Sequence, residues 1–186
     1  MRIAMSAEHE RDPIPHLAEH YARDIVNSGS LFSTTTYQKS ILSLREFEGA
    51  RARTAEINGC RLCRDFRAAR DVPAYLAAIG GAPDKSIASR GPVPDEAFYA
   101  NVSRWADYPG FSERERVAIA YAEGLGLDPQ GIARDEAFWK RAKAAFSDEE
   151  IVDLSYCIAC WIGLGRIVHT LGLDSVCSFV PREKVA

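Results

Sequence analysis

Apolar residues recur three or four positions apart along almost the whole chain, and this spacing limits the fold more than any other feature. Ile41, Leu44 and Phe47 are one example, since a spacing of three places side chains on one face of an α-helix. Two later segments, at 112–115 and 147–150, read Ser-x-x-Glu, which is the capping box of a helix start. No stretch alternates apolar and polar residues over more than about four positions, as a half-buried strand would. The sequence therefore predicts an all-α fold.

Breaks in this pattern divide the chain into predicted helices and connections. Asn58-Gly59 should interrupt a helix because both residues tolerate a left-handed backbone, and Pro73 should lie at or near a helix end. A loop is expected over 82–94. The length of 186 residues suits one domain, with an amino-terminal helical arm over 1–36, a helical domain over 37–175 and a tail over 176–186. The predicted helices are 16–27, 37–57, 60–70, 74–79, 95–105, 112–125, 135–146 and 151–171.

Composition and charge narrow the class of protein. Hydrophobic residues make up 47% of the chain and charged residues 26%, which is typical of a globular domain and not of a disordered chain. The formal charge of −3 gives no basic field, so no nucleic-acid partner is expected. The longest nearly apolar run, 154–165, is shorter than the roughly 20 residues of a membrane span and predicts a buried helix. The first residues are charged where a signal peptide is apolar, so we expect a cytoplasmic protein without a membrane partner.

The chemistry of the chain is expected at Cys60 and Cys63, near the predicted start of a helix. Residues three apart share a helix face, so the two thiols can meet and form a disulfide. Unpaired N–H groups and the helix dipole at an amino end stabilise a thiolate, and Arg64 and Arg67 follow one turn later. A redox dithiol is the favoured interpretation. Half of a zinc site and a pair of inert cysteines are the alternatives, although zinc sites of this kind take four ligands.

Other candidate residues receive structural interpretations. Cys157 and Cys160 repeat the same spacing inside an apolar stretch and are expected to be buried, and Cys177 is interpreted as a bystander thiol. His16 and His20 share a helix face, but two ligands alone are a weak metal signal. No metal and no cofactor are predicted.

The order of these motifs resembles the carboxymuconolactone decarboxylase/AhpD-like superfamily, in particular its peroxidase-related branch. The likeness covers roughly residues 37–175 and implies an AhpD-like helical bundle in a symmetric homo-oligomer. The stretches that carry it are Glu48-x11-Cys60-x-x-Cys63 with Asn58-Gly59, Phe111-Ser-Glu-Arg-Glu-Arg-Val-Ala-Ile-Ala-Tyr-Ala-Glu, Phe146-Ser-Asp-Glu-Glu-Ile-Val, and Arg166 ahead of Leu171-Gly-Leu-Asp.

The resemblance also implies a mechanism for the dithiol. In AhpD-like proteins the second Cys attacks the peroxide, the first resolves it as a disulfide, and a Glu and a His relay protons. Carried over to this chain, Cys63 attacks, Cys60 resolves and Glu48 is the relay carboxylate. Arg67 occupies the position of the relay His, and Leu62 that of a second family His. Arg67 cannot act as a base, but its charge can stabilise a thiolate.

Two further expectations concern the missing base. If Asn58-Gly59 reverses the chain into an antiparallel helix pair, Glu48 comes level with residue 69, which predicts an ion pair between Glu48 and Arg67. His169 lies on the last predicted helix. It could face the dithiol and replace the base, although a lone His on such a helix is more often structural.

The resulting hypothesis is an AhpD-like thiol oxidoreductase that reduces small hydroperoxides or relays electrons to a peroxiredoxin. A dithiol electron donor would restore the enzyme. One alternative is a carboxymuconolactone decarboxylase-type enzyme acting on a lactone or carboxylate, with Arg64, Arg67 and Glu48 supplying charge and a base. The other alternative is a non-catalytic helical oligomer in which the dithiol senses redox state.

Overall fold

Ten α-helices account for most of the chain that the computed structural model describes, which is residues 1–9 and 13–174. These residues contain no strand, which confirms the all-α fold class. The predicted tail over 176–186, with Cys177, lies outside the described residues. The helices are α1 (Pro13–His20), α2 (Arg23–Lys39), α3 (Leu44–Asn58), α4 (Arg61–Asp65), α5 (Ala68–Ala78), α6 (Glu96–Ala100), α7 (Glu113–Leu127), α8 (Pro129–Arg134), α9 (Glu136–Ala145) and α10 (Asp148–Thr170).

The core forms around α3, which packs most extensively against α7 and also against α10. Phe47 on α3 is fully buried, and its ring centre lies 5.4 Å from that of Tyr37 and 4.6 Å from that of Trp161, in edge-to-face arrangements that aromatic pairs favour. Gly49 allows α7 to approach closely, because a Cβ at this position would lie 2.9 Å from Ile119. Packing on two sides therefore fixes α3, and with it the point where the cysteine motif begins.

The helices that precede α3 differ from the prediction, which places a helix break before residue 37. The chain forms α1 and then a continuous α2 that runs through the Ser/Thr cluster at 33–36. Thr34 and Thr35 donate their hydroxyls to the carbonyls of Ser30 and Leu31, four residues earlier. Such bonding accommodates a Thr inside a helix, so the cluster does not cap a new one. The arm boundary predicted at residue 36 consequently falls within α2.

The break between α2 and α3 is fixed by a residue from the far end of the chain. Asp153 on α10 accepts hydrogen bonds from the Ser40 hydroxyl at 2.7 Å and from the Ile41 N–H at 3.0 Å. Ser43 and Glu46 then form a capping box at the start of α3. The helix predicted over 37–57 therefore begins later than the local pattern indicates, because the decisive contact is not local.

The helix predicted over 60–70 is interrupted between α4 and α5. A continuous helix would bond the Arg67 N–H to the Cys63 carbonyl, but this N–H donates to Asp71 at 2.9 Å and the carbonyl accepts from the Arg51 guanidinium at 2.6 Å. The prediction that Pro73 ends a helix is wrong, since Pro73 lies inside α5. Helix α5 therefore lacks one backbone hydrogen bond, because proline has no N–H to donate.

The second half of the chain follows the prediction closely. The capping boxes expected at Ser112 and Ser147 are both present, and α7, α9 and α10 lie near their predicted bounds. Gly172, with φ 72°, follows the end of α10. The helix predicted over 95–105 is a short α6 followed by a 3-10 turn, and α8 is absent from the prediction.

Helix α10 is long and apolar enough to cross a membrane by length and composition, and it is the single helix of the described residues that meets this test. A core helix of a soluble protein can meet the same criteria. Leu154, Ile158 and Trp161 of α10 are buried in the core with residues of α3 and α7. This packing agrees with the prediction of a buried helix over 154–165.

Candidate functional site

The two cysteines of the motif lie at the turn between α3 and α4. Gly59 ends α3 with φ 69°, a left-handed conformation that glycine adopts without strain. Cys60 caps α4, and its Sγ accepts the Cys63 N–H at 3.3 Å. The two residues form a disulfide, with Cα atoms 5.3 Å apart. Cys60 is fully buried and Cys63 is half-buried, so Cys63 is the more exposed residue of the pair.

Helix α10 packs directly on this turn. The Asn58 side-chain amide donates to the Trp161 carbonyl at 2.9 Å, and Arg166 donates to the Asn58 amide oxygen at 3.2 Å. Gly165 faces both the amide and the dithiol, because a Cβ at this position would lie 2.5 Å from Asn58 Nδ2 and 3.8 Å from Cys63 Sγ. The absence of a side chain at Gly165 is therefore what lets α10 approach the cysteine motif.

A buried ion pair on α3 lies behind the motif. Arg51 Nε is 2.5 Å from Glu48 Oε1, and the two side chains are 3% and 0% exposed. The same guanidinium donates to the carbonyls of Cys63 at 2.6 Å and Phe66 at 2.8 Å. Burial lowers the pKa of Arg51, but the Glu48 carboxylate outweighs it and raises that pKa. Arg51 thus stays charged and ties the backbone of the motif to α3, with Glu48 as its counter-ion.

Glu48 has further donors besides Arg51. Its Oε2 accepts a hydrogen bond from the Tyr99 hydroxyl and lies 3.3 Å from the Ala68 N–H. Burial and the charge of Glu48 raise the pKa of Tyr99, so Tyr99 keeps its proton and remains a donor. Glu48 is accordingly surrounded by fixed donors from α3, α5 and α6. Its predicted role as a relay carboxylate stays a prediction.

The predicted ion pair between Glu48 and Arg67 is wrong. Arg67 pairs with Glu96, with 2.9 Å between Nη2 and Oε2, and its guanidinium lies 3.9 Å from the centre of the Tyr99 ring, in a cation–π contact. Glu48 does not pair with Arg67 because it already forms an ion pair with Arg51, which lies on the same helix. Tyr99 separates the two groups, since its hydroxyl bonds Glu48 and its ring contacts Arg67.

His169 reaches the motif from α10. A Cβ at Gly59 would lie 3.3 Å from His169 Nε2, so the imidazole packs against the residue that precedes Cys60. Its Nδ1 is 2.9 Å from Oδ2 of Asp174, and this buried carboxylate oxygen also accepts the Arg61 N–H at 3.0 Å. Burial raises the pKa of Asp174, but the bonds from His169 and Arg61 outweigh it and lower that pKa. A His–Asp pair therefore stands beside the dithiol.

The remaining candidates lie apart from this site. Cys157 and Cys160 are free and buried, which confirms their expected packing role, and burial raises the pKa of both thiols, that of Cys160 to about 11. The rings of His16 and His20 are 4.4 Å apart between centroids. Within residues 1–9 and 13–174, no group of three His, Cys, Asp or Glu side chains is arranged to hold a metal ion.

Three residues of the site, Arg51, Tyr99 and Asp174, are missing from the sequence prediction. Arg51 follows Glu48 by three positions, and this spacing on a helix is a signal for an ion pair that could have been used. Tyr99 reaches the site through the packing of α6 on α3, for which the local sequence holds no signal. Asp174 is the last residue of the Leu171-Gly-Leu-Asp stretch quoted above, but its contacts with His169 and with the Arg61 N–H depend on how the turn after α10 packs on α4.

The fold of this chain is known from another protein. No family model and no curated protein sequence matches the chain. A crystal structure of a protein of unknown function from Agrobacterium tumefaciens, described as a candidate antioxidant defence protein AhpD, superposes with a TM-score of 0.62 and 22% identity. The match covers 87% of this chain and 94% of that chain. The two proteins share a fold. The AhpD-like resemblance predicted from the motifs is thereby confirmed at the level of the fold.

Proposed function

We propose that the protein is a thiol oxidoreductase whose Cys60–Cys63 dithiol reduces small hydroperoxides or passes electrons to a peroxiredoxin. The disulfide between these residues carries the proposal, because it joins a fully buried cysteine to a partly exposed one. A redox dithiol needs one thiol that the substrate can reach and a second within bonding distance. The description of the Agrobacterium protein with the same fold, as a candidate antioxidant defence protein, supports the same class.

The accessible Cys63 is assigned the attack on the substrate. Its thiolate attacks one oxygen of the hydroperoxide, the O–O bond breaks, and the alcohol leaves with a proton while Cys63 becomes a sulfenic acid. The Cys60 thiol then attacks the Cys63 sulfur, the disulfide forms and water leaves. A dithiol donor supplies two electrons and two protons to restore both thiols.

The surrounding cations support these roles. Arg51 binds the Cys63 carbonyl and so fixes the backbone that carries the attacking sulfur. Arg67 follows Cys63 by four positions, across the break between α4 and α5, and is held by Glu96 and Tyr99; in the proposed mechanism its positive charge favours a thiolate over a thiol. Arg67 thus contributes charge, and proton transfer falls to another group.

We propose a cytoplasmic homo-oligomer for the assembled protein. The outer faces of α2 and α10 carry exposed apolar side chains, including Ile25, Leu31, Val152 and Tyr156. Burial of such surface between copies is favourable, and identical chains usually assemble with closed symmetry. Sedimentation or light scattering of the full chain measures the number of copies.

The proposed function is tested with the reduced protein and one equivalent of a small organic hydroperoxide. Peptide mass spectrometry should find a Cys60–Cys63 disulfide formed within seconds, with Cys157 and Cys160 still reduced. Cys63→Ser should abolish hydroperoxide consumption, whereas Cys157→Ser, which removes a buried thiol elsewhere, should retain it. Consumption by Cys63→Ser equal to that of the unmodified chain would overturn the proposal.

The contacts of the site do not favour the lactone or carboxylate alternative. That chemistry needs a free base and free cations at one place. Glu48 is bonded by Arg51 and Tyr99, and Arg67 is paired with Glu96. Two of the three residues that this alternative uses, Glu48 and Arg67, are thus already occupied by partners in the fold, and Arg64 is the third.

A further inference from the structure

One face of α10 runs along the cysteine motif. Gly165 lies opposite the Cys63 sulfur, and His169, one turn later on the same face, lies against Gly59, next to Cys60. A larger residue at position 59 would press on the imidazole, since a Cβ there would be 3.3 Å from Nε2. The order along the helix therefore assigns His169 to the Cys60 end of the dithiol.

The imidazole of His169 has a fixed orientation. Asp174 holds its Nδ1 at 2.9 Å and is itself held by the Arg61 N–H at 3.0 Å. Arg61 is the residue that directly follows Cys60, so the same carboxylate positions the imidazole and the backbone of the motif. A carboxylate on one ring nitrogen leaves the other free to take up a proton, which is how an oriented histidine serves as a base.

Cys60 needs such a base if the proposed function is correct. Its side chain is fully buried, and burial disfavours a thiolate. Closing the disulfide requires Cys60 to lose its proton while the oxygen that leaves Cys63 gains one. In this chain Arg67 stands where the resemblance predicts the relay His, and an arginine cannot accept a proton.

We propose that His169, oriented by Asp174, accepts the proton of Cys60 during disulfide closure and returns it to the leaving oxygen. This inference rests on the proposed function and names the group that completes it. In the step, the Cys60 S–H and the Cys63 S–O bonds break, the S–S bond forms, and the proton leaves in water, so no external oxidant or base is consumed. The Cys63 N–H, 3.3 Å from Cys60 Sγ, is placed to stabilise the transient thiolate. His169 is 46% exposed, so it can exchange protons with solvent.

The contacts place charged groups from three segments near His169. Asp174 faces its Nδ1, and Arg166 lies on the preceding turn of α10, where it is bonded to Asn58 and to the Gly126 carbonyl. The amino group of Met1 lies beside Gly172, where a Cβ would be 3.4 Å from it. Asp174 is the partner that holds His169, so the tests vary His169 and leave Asp174 in place.

The first test measures ionisation of Cys60 and needs no substrate. In the full chain with Cys63→Ser, the ultraviolet absorbance of the Cys60 thiolate is followed against pH, and a double variant with Cys60→Ser and Cys63→Ser supplies the baseline. Adding His169→Gln, which keeps a donor towards Asp174, should raise the midpoint by about one pH unit, a tenfold loss of thiolate near neutrality. His20→Gln, on the exposed side of α1, is the matched control and should leave the midpoint unchanged.

The second test separates the two chemical steps. With hydroperoxide, His169→Gln should form the Cys63 sulfenic acid at the rate of the unmodified chain, while disulfide closure slows by about 10²- to 10⁴-fold, the usual contribution of a general base. His169→Ala should be slow in the same way, and added imidazole should restore closure, which a purely structural role would not permit.

Each outcome decides a separate claim. A His169→Gln variant that titrates and closes like His20→Gln overturns the role of His169. If the unmodified chain forms no sulfenic acid with any hydroperoxide, the proposed function fails, and the thiolate titration alone still decides whether His169 takes the Cys60 proton.

Discussion

Replacing Arg51 with methionine should strongly destabilise the protein. Met matches much of the side-chain volume but leaves the Glu48 carboxylate buried without its cation. Removing one partner of a buried pair costs about 3–5 kcal/mol, and the Cys63 and Phe66 carbonyls lose the hydrogen bonds from Arg51 as well. For a chain of this size, that loss lowers the melting temperature by about 6–20 °C.

Urea unfolding followed by circular dichroism measures this cost, with Arg141→Met as the matched control. Arg141 makes an ion pair with Glu113 in which the two side chains are 45% and 59% exposed, so its loss should cost no more than about 1 kcal/mol. If Arg51→Met does not fold, Arg51→Lys retains the charge and loses the two-pronged contact, and it should be intermediate. The double variant Glu48→Leu/Arg51→Met should recover part of the loss because no charge is left unpaired. Equal costs for Arg51→Met and Arg141→Met would refute the reasoning.

Two further predictions concern α10. Gly165→Ala should lower the free energy of unfolding by about 1–3 kcal/mol, because the new Cβ would lie 2.5 Å from the Asn58 amide, which is fixed by the Trp161 carbonyl. Gly163→Ala, with nothing within 4 Å of its Cβ, should instead raise the free energy of unfolding by about 0.5–1 kcal/mol. Thermal unfolding of the two variants checks both signs. In the folded, reduced protein, burial raises the pKa of the Cys160 thiol to about 11. At mildly alkaline pH, Cys160 should therefore react with iodoacetamide on the order of a hundredfold more slowly in the folded protein than in the protein unfolded by urea. Equal rates would contradict this prediction.

The sequence predicted the parts of the fold that local chemistry determines. The capping boxes at Ser112 and Ser147 and the left-handed Gly59 depend on neighbours within four residues, and all three are confirmed. The start of α3 and the break after α4 depend on Asp153 and Arg51, which bond to residues distant along the chain. The periodicity of apolar residues within one segment carries no information about such long-range contacts.

The same distinction applies to the candidate site. The dithiol was predictable because Cys60 and Cys63 are close in sequence and the turn before them has a clear signal. The partner of Glu48 was mispredicted because Arg51, three positions later on the same helix, pairs with it before any residue of a neighbouring helix can. Asp174 contacts His169 through the turn that follows α10, and only the packing of that turn on α4 brings the pair to the motif.

These contacts separate two roles that a carboxylate could have in this site. Glu48 is fully buried and balances the charge of Arg51, and Arg51 donates hydrogen bonds to the Cys63 and Phe66 carbonyls at the break between α4 and α5. An anchoring role therefore explains Glu48 without any movement of protons, and proton transfer is assigned to the half-exposed His169.

Glu48→Gln distinguishes the anchoring role from the relay role. The amide keeps an acceptor for Tyr99 but leaves Arg51 without a counter-ion, so anchoring predicts a loss of about 3–5 kcal/mol in the free energy of unfolding. The pH dependence of disulfide closure should keep its midpoint, because His169 and Asp174 are untouched. A relay predicts the reverse, a shifted midpoint in a protein of nearly unchanged stability. Urea unfolding and the closure rate against pH, measured on the same variant, decide between the two, and a shifted midpoint with intact stability would return Glu48 to the proton path.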